Sequence, residues 1–236
     1  MKALNKALPG LCIGIGLIVM GCLLSHGIIT VKDRDRIVTV KGLAEREVKA
    51  DRVIWPLVFK EIGNDMTSIY NAVNKKNEIV CDFLKNNGIN ENEISIAAPQ
   101  IIDMRAERYA NNNEIPYRYN VTSVITVTSN QIDKVRELIS RQVDLLKQGV
   151  AIIDGDYRYT TQYSFTGLND IKPEMIEEAT VAARLAAEKF AKDSDSKLGK
   201  IRRANQGQFV ISNRDANTPY IKEVRVVTTI DYYLKD

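Results

Sequence analysis

The stretch RVIWPLVFK, Arg52 to Lys60, decides the fold class of this chain. Its largest apolar residues recur at every second position, which is the period of a strand with one buried face. Pro56 interrupts the run and removes one backbone donor, so it predicts an edge strand or a bulge. A β-branched run precedes it at Ile37 to Lys41, and the charged segment from Leu43 to Asp51 predicts a solvated turn between the two strands.

Three helices and five more strands follow this hairpin. The helix signals are Asn64 or Asp65 to Gly88, Asn130 to Gly149, and Pro173 onward with an inner face of Ile176, Ala179, Ala183, Ala186, Ala187 and Phe190. The strand signals are 94–104, 117–127, 157–165, 208–212 and 223–234. The first two form a hairpin whose tip is Asn111-Asn112-Asn113. The order ββαββαβαββ lacks βαβ alternation. It predicts an α+β fold of mostly antiparallel sheets, with three helices packed on the sheet.

The N-terminal segment predicts one transmembrane helix. No residue from Ala7 to Val31 carries a full charge, and about 20 apolar helical residues cross the hydrocarbon layer. We therefore divide the chain into a short tail (1–6), a transmembrane helix (7–31), a charged linker (32–36) and an α+β domain (37–236). Gly10 and Gly14 would allow two such helices to approach closely.

Two alternatives to a retained helix stay open. A cleaved secretory signal would have a shorter apolar region ending in a small-x-small site, which is missing here. A lipoprotein signal would place the acylated cysteine at Cys22, after Val19-Met20-Gly21. Basic residues stand on both sides of the segment, so charge does not settle the orientation.

The charge distribution argues against nucleic acid as a partner. The chain has 33 basic and 30 acidic residues, and no basic run exceeds Arg202-Arg203. Such a pattern provides no stripe that would follow a phosphate backbone.

The residue types needed for most catalysis are scarce. The single histidine, His26, lies in the apolar segment, so the soluble part lacks the commonest general base and zinc ligand. Cys81 lies among apolar residues of a helix and is expected to be a small buried hydrophobe. Asp154 with Asp156 predicts a turn, and Asp193 with Asp195 predicts a helix end. We expect no catalytic, cofactor-binding or metal-binding residues and no cofactor.

The soluble part resembles the SIMPL-domain family of bacterial envelope proteins, long filed as a domain of unknown function. The resemblance is carried by Val38-Thr39-Val40-Lys41-Gly42, by Ala50-Asp51 with the Trp55 strand, by Glu178 to Ala187, by Leu198-Gly199-Lys200-Ile201 and by the closing strand. It implies an extracytoplasmic domain, often tethered or secreted, that is inclined to self-assemble and is loosely associated with envelope stress tolerance. It supplies no catalytic residues. One departure is Leu43-Ala44, where many members have a second glycine.

Three functional hypotheses remain. The first is a membrane-anchored, non-enzymatic envelope protein that self-assembles through this domain, with the domain in the periplasm or otherwise extracytoplasmic. The second is a binding module for a small molecule or peptide, with an aromatic groove formed by Tyr157, Tyr159 and Tyr163 or by Tyr109 and Tyr117. The third is an enzyme that uses carboxylates alone.

Overall fold

The computed structural model describes residues 2–33, 36–106, 116–153 and 155–235, and within the first helix it describes the side chains of residues 13–28. These residues form five α-helices and nine strands. The helices are α1 (Lys2–Asp33), α2 (Met66–Asn86), α3 (Ile132–Ser140), α4 (Val143–Lys147) and α5 (Leu168–Asp193). The strands are β1 (Ile37–Lys49), β2 (Arg52–Gly63), β3 (Ile94–Ile96), β4 (Gln100–Asp103), β5 (Tyr119–Ser129), β6 (Gln162–Ser164), β7 (Lys197–Gln206), β8 (Val210–Asn213) and β9 (Ile221–Lys235). The predicted α+β class with antiparallel pairing is confirmed.

The chain divides into two compact units, and the boundary cuts through β1 and β9. The first unit contains Met1–Arg46, Asn169–Val210 and Val224–Asp236. The second contains Glu47–Leu168 and Ile211–Glu223.

The second unit contains the stretch from Arg52 to Lys60, which forms most of β2. β2 and β5 form a continuous antiparallel ladder from Val53↔Ser129 to Gly63↔Tyr119. Their alternate residues, such as Trp55, Leu57 and Ile125, form one apolar core with α2, α3 and α4. Pro56 is tolerated because β6 pairs with β2 only at residues 52–54, so the missing donor lies beyond the last rung on that side. β2 as a whole is not an edge strand, since β5 and β6 flank it, but at Pro56 only β5 pairs with it.

The cap predicted for α2 was correct, whereas the cap predicted at Asn130 was wrong, because α3 begins after Gln131 and no side chain of the described residues caps it. The Asp65 carboxylate caps α2 by accepting hydrogen bonds from the N–H and hydroxyl of Ser68, at 2.7 and 2.6 Å. The helix predicted after Asn130 is two helices, α3 and α4. Arg141 N–H bonds to the carbonyls of Glu137 and Leu138 together, which tightens the last turn of α3 and ends it. Four α-helices, and not three, therefore follow α1.

The first unit contains one helix over a sheet. The strand order is β1-β9-β7, with β8 beside β9. α5 buries Met175 and an alanine at every fourth position, and Ala183 and Ala187 pack on β1 and β9. The buried alanines are Ala179, Ala183, Ala187 and Ala191. Small residues at this spacing let the helix approach the strands closely.

Several expectations about this unit were wrong. The segment predicted as a turn from Leu43 is strand as far as Lys49, because Gly42 and Ala44 continue the alternating burial of β1. α5 begins at Leu168, so Pro173 lies inside it and breaks only the bond to the carbonyl of residue 169. Phe190, expected inside, is 56% exposed.

Two strand predictions also need correction. Tyr157–Tyr159 is a short 3₁₀ turn, and only Gln162–Ser164 of the alternating run joins a sheet. β7 was missed because its residues are charged and almost all exposed, so it has no burial period to detect. The strand expected over 94–104 is split into β3 and β4.

Some expectations lie outside the described residues: the hairpin tip at 111–113, Tyr109 and Asp154. In the part of the chain that the structure describes, no helix is both long enough and apolar enough to cross a membrane.

Candidate functional site

The described members of the acidic pairs, Asp156, Asp193 and Asp195, lie at a turn and at a helix end. Asp156 caps the 3₁₀ turn and binds its own neighbour, since the Arg158 guanidinium donates to it at 2.7 Å. That side-chain hydrogen bond, helped by the Arg158 N–H, lowers the pKa of Asp156 to about 2. Asp193 ends α5, and Asp195 follows in a left-handed turn at φ 52°. Asp156, Asp193 and Asp195 thus occupy the turn and helix-end positions that the sequence predicted.

The carboxyl groups of the described residues are not tuned as general acids. Wherever a carboxyl pKa is clearly displaced, it is displaced downward: Asp65, Glu91, Glu93, Asp103, Asp144, Asp156 and Asp215. A general acid at neutral pH needs the opposite shift. Within the same residues, no three histidine, cysteine or acidic side chains come together in a way that could hold a metal ion.

Cys81 is half-buried against the core of the second unit. Burial raises the pKa of its thiol, so the neutral form predominates at neutral pH. A thiol of this kind is a poor nucleophile, which agrees with the packing role predicted for it.

The aromatic residues singled out in the sequence do not form one row. Tyr157 is 85% exposed, Tyr117 is 47% exposed, and Tyr163 packs against the core.

 Tyr159 belongs to the 3₁₀ turn with Tyr157. The groove predicted from these tyrosines is therefore not assembled by the described residues.

A different aromatic cluster is present in the second unit. The rings of Tyr163 and Tyr220 meet edge to face, with centroids 6.2 Å apart and planes at 69°. The Arg136 guanidinium lies 3.6 Å from the centroid of the Tyr220 ring, which is a close cation–π contact. Burial raises the pKa of the Tyr163 hydroxyl. Both rings are thereby held in fixed orientations beside the start of α3.

Tyr220 and Arg136 of this cluster line a cleft of about 430 Å³, within the range of small-molecule sites. Three cationic side chains and one acidic side chain surround it, and the first turn of α3 forms one wall. The lining residues are Lys49, Ala50, Asn130, Gln131, Ile132, Asp133, Lys134, Arg136 and Tyr220. The excess of cations beside an aromatic face favours a small ligand that carries a negative charge and a flat apolar part.

The backbone around Tyr220 is held from several sides. The Ala50 N–H donates to the Tyr220 carbonyl at 2.8 Å. The turn before Tyr220 is closed by Asp215, whose carboxylate accepts hydrogen bonds from the Thr218 hydroxyl and N–H and from Arg214. The Thr218 hydroxyl first and Arg214 second lower the pKa of Asp215 to about 2.

Sequence reasoning missed both Arg136 and Tyr220. Arg136 is one of several charged residues on an amphipathic helix, and Tyr220 follows a Thr-Pro turn between two strands. Neither position carries a local signal, because the cluster exists only through contacts between residues that are far apart in the chain.

A second surface lies on the first unit, along β7. Its four cations, Lys197, Lys200, Arg202 and Arg203, have no hydrogen bond or ion pair to any residue that the structure describes. Ile201 lies opposite Tyr232 in the ladder, so both belong to the same sheet face, yet Ile201 is 48% exposed while Tyr232 is buried. α5 thus covers β1 and β9, and of β7 only Leu198, near its start, packs against the same core; the rest of β7 is largely exposed.

Comparison with known proteins identifies the family. The family model for SIMPL, described as a protein of unknown function (DUF541), matches residues 38–230. No curated protein matches the chain. The matched range begins in β1 and ends in β9, so it includes the cores of both units. The chain therefore belongs to the SIMPL family.

Proposed function

We propose that this protein is a membrane-anchored, non-enzymatic envelope protein that self-assembles through its extracytoplasmic SIMPL domain. The observation that carries the proposal is the bare edge strand β7. Among the described strands, only β9 pairs with it, and both of its faces are largely exposed. An edge strand that is exposed in this way is a place where another chain can attach.

The tether is supported by the composition of α1. No residue from Ala7 to Val31 carries a full charge. Its described apolar side chains, from Ile13 to Ile28, are exposed in the isolated chain. Apolar side chains in such number are stable against lipid or against another protein. The extracytoplasmic placement and a link to envelope stress tolerance rest on the family resemblance.

A non-enzymatic role is supported by the chemistry of the described residues. The only histidine is His26 in α1, and the displaced carboxyl pKa values all move downward. The one cysteine of the soluble part has a raised pKa. Groups with these properties favour pairing and packing over the activation of a substrate, which supports the proposal.

Light scattering on the full chain in a mild neutral detergent tests self-assembly. We expect a protein mass of several copies at micromolar concentration, after subtraction of the detergent. A mass of one copy at all concentrations would contradict the proposal. Extraction of membranes with alkaline carbonate tests the tether: an anchored chain stays in the pellet, whereas a cleaved or peripheral one is released.

A second candidate function is the binding of a small ligand in the cleft beside Tyr220. The Arg136–Tyr220 stack and the three cations of the lining favour it. Benzoate is a suitable probe, because it combines a carboxylate with a flat ring. Chemical-shift titration should show saturable binding that is lost in Tyr220→Ala and kept in Tyr157→Ala, whose ring is exposed elsewhere. Equal, unsaturable shifts in both variants would rule this candidate out for aromatic carboxylates.

A further inference from the structure

We infer that the basic strand β7 of one copy docks on the outer face of α5 of a second copy, so that the subunits join head to tail. This inference rests on the proposed self-assembly and names the two surfaces that meet. Both surfaces belong to the first unit.

The donor surface is strand β7 itself. Its four cations have no partner among the described residues, and no acidic residue occurs within the strand. Arg203 lies opposite Asp231 in the ladder, but that carboxylate accepts a hydrogen bond from the Thr39 hydroxyl at 2.7 Å. Exposed Ile201 lies in the middle of the cations. The strand therefore requires a partner that is acidic around an apolar centre.

The outer face of α5 has this composition. Glu174, Glu178, Val181 and Leu185 follow one another at intervals of three and four, so they form one stripe, opposite the buried alanines. Val181 is 46% and Leu185 60% exposed. Glu174 and Glu178 bind Arg46 but keep much of their side-chain surface exposed, and Glu177 beside them has no ion pair to a described residue.

Charge also decides the symmetry of the contact. Pairing β7 with a second β7 would bring eight cations together without an acid between them, which is repulsive. A contact between β7 of one copy and α5 of the next avoids this repulsion. In a row of such copies, one β7 surface is free at one end and one α5 surface at the other. Such a contact produces a closed ring or a filament.

Charge reversal in the full chain, in neutral detergent at low salt, tests the inference. Arg202→Glu with Arg203→Glu should weaken assembly by about tenfold or more, and so should Glu174→Lys with Glu177→Lys. Mixing the two variants should restore assembly, because each reversed surface then meets its complement. Lys75→Glu with Arg52→Glu, exposed positions in the other unit, is the matched control and should assemble as the wild type does.

The outcomes separate this inference from the function on which it rests. A wild-type chain that stays monomeric contradicts self-assembly itself. If the wild type assembles and the reversed variants assemble equally well, self-assembly is supported but the docking of β7 on α5 is overturned. The β7 cations would then serve only to prevent unwanted pairing at the sheet edge. The docking is also overturned if reversal at β7 leaves assembly unchanged but abolishes flotation with vesicles containing phosphatidylglycerol, since β7 would then contact lipid.

Discussion

Gly42 in β1 lies directly against the backbone of Ala179 in α5. A Cβ atom at position 42 would stand 1.8 Å from the Ala179 carbonyl oxygen and 2.4 Å from the Ala183 nitrogen. Both obstacles are backbone atoms, so no side chain can rotate away. This contact explains why a residue without a side chain stands here, between Lys41 and Leu43 of the strand.

Gly42→Ala should therefore separate α5 from the sheet. We expect a loss of about 3 kcal/mol in the free energy of unfolding, at the upper end of the cost of overpacking a core. Urea denaturation followed by circular dichroism measures it. Gly63→Ala is the control, because the added methyl group would meet only the Ile69 side chain, at 3.2 Å. Equal losses in both variants would contradict the role assigned to Gly42.

The buried hydroxyl of Tyr232 gives a prediction of the opposite sign. This oxygen has no hydrogen-bond partner among the described residues, and the same holds for Thr228 Oγ1. A buried polar group without a partner carries a desolvation cost. Tyr232→Phe and Thr228→Val should therefore leave stability unchanged or raise it by about 1 kcal/mol. A loss of that size on removing either hydroxyl would mean that it is paired in the folded protein.

Acid should destabilise the second unit through Asp215. Its folded pKa is about 2, against 3.8 for an unperturbed carboxyl, so the ionised form stabilises the fold. The stabilisation by the ionised Asp215 carboxylate is fully present above the unfolded-state pKa and is lost as the pH falls from about 4 towards 2. Unfolding midpoints measured across this range should fall less steeply in Asp215→Asn than in the wild type. Identical slopes would contradict the pairing with Thr218 and Arg214.

The stacking of Arg136 on Tyr220 predicts an energetic coupling. A double-mutant cycle with Arg136→Gln and Tyr220→Leu isolates the pairwise contribution. We expect a coupling of about 0.5–1 kcal/mol, as for a cation–π contact that is partly accessible to water. Independent, additive effects of the two substitutions would show that the stack does not contribute to stability.

The parts of the fold that could be predicted are those whose own residues show a periodic hydrophobic pattern or a local cap. Val53, Trp55, Leu57 and Phe59 alternate because one sheet face is buried, and that alternation predicted β2 correctly. Asp65 could be placed because a cap depends only on the first turn of its helix.

The parts that could not be predicted depend on distant residues. β7 is a strand because β9 supplies its hydrogen bonds, and its own residues show no alternation. The alternating tyrosines near Tyr157 have the period of a strand, yet only three residues of that run find a partner strand, in β2. For the same reason, the Arg136–Tyr220 cluster is invisible in the sequence.

The most direct measurement of the central claim is native mass spectrometry of the full chain released from detergent micelles, over a range of protein concentrations. If the protein acts by joining copies of itself, the spectrum should contain a defined multiple of the chain mass that persists on dilution into the micromolar range. A spectrum of single chains at every concentration would contradict the claim.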